Sequence, residues 1–137
     1  SKKKVEGDKK TPKGTFGIEH LYYRKDRIEL PKTYLKTIQI KPYMGWSDDV
    51  NFRNKYNKLI KVNKNIHHEK LFRNDYKYDL LIPIKYNFNK SIPGKGSCIF
   101  IHLTNNYKPT AGCIAVQKKD FLIMIKLFKK NTKIKIY

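Results

Sequence analysis

The sequence predicts a mostly β, α+β domain: a β-sandwich or mixed sheet carrying one amphipathic helix near the C-terminus. Three observations carry that expectation. Short apolar runs bounded by turn residues recur along the chain: YDLLIPIKYNF (78–88) is a strong strand candidate, and CIFIHL (98–103) is an apolar run typical of a central strand. Only one segment, Lys119 to Lys130, repeats apolar residues at helical spacing, with Phe121, Met124, Ile125 and Phe128 on one face. The third is size: 137 residues suit one domain with one core, expected to span 1–137.

In chain order, GDKKTPKGTF is punctuated by Gly7, Pro12 and Gly14 and reads as turns. Residues 16–23 and 33–40 alternate loosely, as strands do. From Lys41 to Asn65 no period holds, so this aromatic, polar stretch reads as a long excursion with one short helix; loops of that length are commonly functional. Strands at 78–88 and 98–103 follow, separated by a turn at Pro93, Gly94 and Gly96. A loop, TNNYKPTAGC, leads to a short strand, IAV. The helix is expected over 119–130, ended by Asn131, and Lys133 to Tyr137 closes the chain as an edge strand.

Composition narrows the partners. Seven Phe, ten Tyr and sixteen Ile offset a mean hydropathy of −0.70, so the chain folds. The net charge of +20 attracts polyanions. Yet 27 of the 31 cations are lysines scattered along the chain and only four are arginines, the residue that reads base edges with its fork. No specific nucleic acid is expected; an anionic envelope polymer is the better polyanionic candidate. No run approaches the ~20 apolar residues of a membrane span. Ser1-Lys2-Lys3-Lys4 lacks the apolar stretch that follows the charged start of an export signal, and a trimmed fragment would read the same.

Cys113 follows Gly112, whose freedom at positive φ suits a tight, exposed turn with converging N–H groups. His102 ends the apolar strand eleven residues earlier. A thiol is mostly protonated at neutral pH, so an adjacent imidazole would activate it. On spacing alone the pair is either a Cys/His nucleophile or a buried thiol beside a core histidine. Cys98 would share a strand face with Phe100 and His102, roughly 13 Å from His102. A Cys98–Cys113 disulfide is therefore not expected, and Cys98 reads as a small buried apolar residue. His67, His68 and Glu69 form the other dense cluster; adjacent residues point apart, so no metal site is expected. Trp46, with Asp48 and Asp49, reads either as a cleft wall or as a packed anchor beside a solvated turn. GKGS (94–97) lacks phosphate-loop spacing and is a turn.

IFIHLTNNYKPTAGCIAV resembles the active-site segment of the L,D-transpeptidase (YkuD-type) catalytic domain, and GDKKTPKGTF resembles that family's early KEGDGKTPxGxF signature. MGWSDDV, HEKLFRNDYKYDLLIPIKYN and IPGKGSCIFIH also match a branch of the family, in order, from about Lys4 to the C-terminus. The resemblance implies a YkuD-like β-sandwich. It implies Cys113 as nucleophile and His102 as general base, with the Gly112 and Cys113 amides on the oxyanion. It places Thr110, Ala111, His68 and Trp46 toward substrate. Ala111 stands where many members have a second His, and Ala115 where Arg or Asn is common.

The implied reaction is acyl transfer on peptidoglycan stem peptides: attack on the third-residue carbonyl, release of D-Ala, and transfer to an amine of another stem. No metal or organic cofactor is required. Water as acceptor would make the chain an L,D-carboxypeptidase or amidase, and a non-catalytic wall-binding domain is the further alternative. A periplasmic or otherwise extracytoplasmic location is implied, and a monomer is the default expectation. Members usually carry one or two strands before the KEGD segment, so a trimmed or rebuilt start is expected.

Overall fold

The structure is a computed structural model describing residues 5–8, 10–106 and 112–137. It is mostly β, with ten short strands and one helix among the described residues. Five strands form the central sheet in the order β3 (Thr37–Gln39), β2 (Leu21–Tyr23), β7 (Leu80–Pro83), β8 (Phe100–Leu103) and β9 (Ile114–Val116). The outer pairs, β2–β3 and β8–β9, are parallel; the inner ones are antiparallel. A second, antiparallel sheet has the order β5 (Leu59–Lys61), β4 (Met44–Ser47), β6 (His68–Lys70). β1 (Gly14–Gly17) pairs with β10 (Lys133–Ile136) as a ribbon.

Period-2 alternation sorts the central strands onto two cores. Leu21, Tyr23, Leu80, Ile82, Ile101 and Leu103 face the helix α1 (Lys118–Leu127), which buries Phe121 and Ile125 among them. Tyr22, Leu81 and Phe100 face the other way, into a cluster with Trp46, Ile40, Leu71 and Tyr78. Burial on both sides explains why β7 and β8 read as continuous apolar runs.

Several expected boundaries move, each for a local reason. The 16–23 strand is two strands, because the chain changes partner: Ile18 bridges Ile84, and only from Leu21 does it pair with β3 and β7. The 33–40 strand shortens to β3, since the Thr33 hydroxyl donates to the Ile125 carbonyl at 2.7 Å and ties the preceding residues to the helix. The 41–65 excursion holds no helix. It carries β4 and β5, joined by a chain of turns in which Tyr56 N–H donates to Phe52 O, and Asn57 ends that chain at φ 55°.

The helix starts at Lys118 and stops at Leu127, short of Asn131. Phe128 is extended, and Lys129 and Thr132 exchange hydrogen bonds that reverse the chain into β10. The 98–103 strand begins only at Phe100, because Cys98 sits at φ 56°, outside extended geometry.

Candidate active site

The register of β8 and β9 builds the site. Ile101 pairs with Ile114 and His102 with Ala115, so Cys113, one residue before β9, lies beside Phe100. Paired residues project to one face, and so do residues two apart. Phe100, His102 and Cys113 therefore share the face turned toward the small sheet, where Phe100 and Cys113 join the same apolar cluster. His102 and Cys113 are thus diagonal neighbours on one face of the sheet.

His102 is 7% exposed. Its Nδ1 lies 2.9 Å from the Leu103 carbonyl oxygen. A carbonyl only accepts, so Nδ1 carries the proton and Nε2 is the basic nitrogen of the neutral ring. Burial holds the imidazole below its ordinary 6.5, with Lys77 and Arg73 adding to that effect against the Leu103 carbonyl and Asp75. Tyr78 sets the ring's plane from the side: its ring meets His102 edge-on at 5.6 Å and Phe100 at 5.8 Å.

Cys113 is half-buried, and its Sγ donates to the Cys98 carbonyl at 3.2 Å. That carbonyl is aimed by an unusual backbone. Cys98 is held at φ 56° by its N–H, which donates to Asn57 Oδ1 at 3.2 Å. The same Oδ1 takes the Trp46 indole N–H at 2.8 Å, while the Asn57 amide donates to the carbonyls of Tyr86 and Asn87. Asn57 thus ties four segments together behind the thiol. The sequence reading missed it; its signal was an asparagine in a turn-rich stretch, a residue that tolerates left-handed backbone. Cys98 is not the strand residue expected, and its backbone touches the Cys113 thiol. No disulfide joins the two. Burial pushes the Cys98 thiol well above its ordinary value, so it stays protonated.

Gly112 is buried at φ 99°, and a Cβ there would stand 3.0 Å from the Lys10 carbonyl. Close backbone approach and a left-handed conformation both require glycine at this position. Thr110 and Ala111 lie outside the described residues.

The remaining expected site residues separate. Trp46 is 3% exposed and packs against Tyr22, Phe88 and Phe100, so it is an anchor of the core and no open cleft wall. The His68 ring lies against Gly45 of β4, where a Cβ would come within 2.8 Å of it, and its Nδ1 donates to Ile66 O at 2.7 Å. His67 turns the other way, onto Asp48, while Asp49 accepts the His67 N–H. Among the described residues no three His, Cys, Asp or Glu side chains converge as a metal site. Glu69 points toward Tyr78, whose hydroxyl donates to its Oε1 at 3.0 Å.

The family model of the YkuD L,D-transpeptidase catalytic domain matches residues 1–136. The chain belongs to that family. No curated protein and no solved structure matches it significantly.

Proposed function

We propose that the chain is a single-domain, monomeric peptidoglycan L,D-transpeptidase of the extracytoplasmic envelope, with Cys113 as nucleophile and His102 as general base. The observation that carries this reading is the shared face of β8 and β9, which sets the thiol diagonally from an imidazole whose basic nitrogen is Nε2. Family membership supports the substrate class.

His102 Nε2 takes the thiol proton that Cys98 O holds at rest, and the thiolate attacks the third-residue carbonyl of a tetrapeptide stem. The oxyanion receives the Gly112 and Cys113 N–H groups, in a turn whose shape Gly112 permits. The imidazolium returns the proton to the departing D-Ala amine, leaving an acyl thioester that an amine of a second stem resolves. No metal or organic cofactor enters these steps.

Incubation with disaccharide-tetrapeptide tests the reading: a cross-linked dimer is expected, together with a carbapenem adduct on Cys113, and both vanish in Cys113→Ala. Tripeptide monomer alone would assign an L,D-carboxypeptidase. Neither product nor adduct would leave a wall-binding domain, for which the +20 charge is the supporting feature.

A further inference from the structure

Beside the thiol and imidazole lies a polar constellation that the acylation step leaves unused. The Tyr78 hydroxyl donates to Glu69 Oε1 at 3.0 Å, and Arg73 Nη1 approaches the same oxygen at 3.4 Å. Arg73 is otherwise committed to Asp75, with contacts of 2.8 and 2.6 Å, so its charge is largely answered. Glu69 has a side chain 36% exposed and lines a cavity of about 460 Å³ with Lys70, Arg73 and Asp75. The other end of Tyr78 touches the site: its ring meets both Phe100, the β8 residue beside Cys113, and His102, the one diagonal to it. Tyr78 therefore contacts both the His102 ring and a carboxylate of this cavity.

We propose, resting on the transpeptidase reading, that Tyr78 and Glu69 form a proton-accepting pair for the acceptor amine and so select an amine over water at the acyl-enzyme. An acceptor arrives as an ammonium and cannot attack until it loses a proton. Tyr78 Oη accepts that proton while passing its own to Glu69 Oε1. The neutral amine then forms the C–N bond as the C–S bond breaks. Its second proton passes through His102 to the leaving thiolate, and Glu69 releases its proton to the cavity. The ammonium of the acceptor is drawn toward the Glu69 carboxylate and the Tyr78 hydroxyl. Water carries no positive charge and gains less from the carboxylate.

The electrostatics agree. Burial, then the Cys113 sulfur, then Glu69 raise the Tyr78 phenol, so it remains protonated and relays without ionising. The titratable and charged groups around the pair are Arg73, Lys70 and Asp75 at the cavity, His102 and Cys113 on the sheet, Lys77 near His102, and the desolvated Cys98.

The test compares wild type, Glu69→Gln and Tyr78→Phe from pH 6 to 10, scoring dimer, tripeptide and carbapenem adduct on the same preparations. Tyr78→Phe keeps the ring against His102. In both variants the loss at pH 7 is expected to be at least about ten-fold greater for dimer formation than for adduct formation, with product shifted to tripeptide. The deficit in dimer rate relative to wild type should shrink as pH approaches the amine's own range, near ~10, where solvent removes the proton. Equal losses of dimer, tripeptide and adduct at every pH would mean a structural role and overturn the proposal while leaving the transpeptidase intact. An unchanged dimer-to-tripeptide ratio would overturn it too. Tripeptide as the sole wild-type product would refute the transpeptidase reading, and this inference with it.

Discussion

A buried imidazole resists protonation, and at His102 that resistance is directional. Desolvation lowers its titration while the Leu103 carbonyl fixes the proton on Nδ1, so the ring offers Nε2 as a base below the pH at which an exposed histidine would be charged. The acid limb of kcat/KM is accordingly expected to have its midpoint below the ordinary imidazole value of 6.5. A limb centred above 7 would contradict the assignment. Stability carries the same sign: the unfolded chain takes up the His102 proton more readily than the folded one, so stability falls as pH drops below 6.5. The two thiols show how environment separates identical groups. Both are half-buried; desolvation keeps Cys98 neutral, while Cys113 lies on the face shared with His102.

At the scale of elements, the central sheet depends on α1 for one of its two covers. Phe121 and Ile125 are completely buried against β2, β7 and β8. Phe121→Ala should cost about 3–5 kcal/mol, read as a lowered denaturant midpoint with an unchanged slope. A loss below about 1 kcal/mol would mean that the helix contributes little. The helix and the buried central strands were legible because each is written locally, in a 3.6-residue period or an apolar run, whereas Cys113 and His102 were singled out by the family resemblance and not by their spacing. The small sheet was not. β5 and β6 are only three residues each, with no buried residue between them, and their pairing to β4 reaches across as far as Gly45 to Lys70, a separation that no local period records. Tyr78 and Asn57 escaped notice for a related reason. A tyrosine at the start of an apolar run and an asparagine in a turn gain their meaning only when distant segments close around them.

Over the whole molecule, the +20 charge sets the background against which individual ion pairs act. Arg24 holds Asp26 at about 2, and Arg73 holds Asp75 at about 2, both below the usual carboxylate value of 3.8. A depressed carboxylate contributes stability above its unfolded value that disappears as pH falls through the folded one. The melting temperature should therefore fall between pH 4 and pH 2, and fall less in an Asp26→Asn, Asp75→Asn double variant; equal acid sensitivity in both proteins would refute this. Both carboxylates are exposed enough that added salt should blunt the effect. A different long-range dependence follows from Gly112. A Cβ on Gly112 would stand 3.0 Å from the Lys10 carbonyl oxygen, so two stretches about a hundred positions apart in the chain meet at the residue before Cys113. The turn before Cys113 is consequently packed against the backbone at Lys10. On the proposed mechanism, displacing the Lys10 segment is expected to lower activity without altering any group that takes part in bond-making.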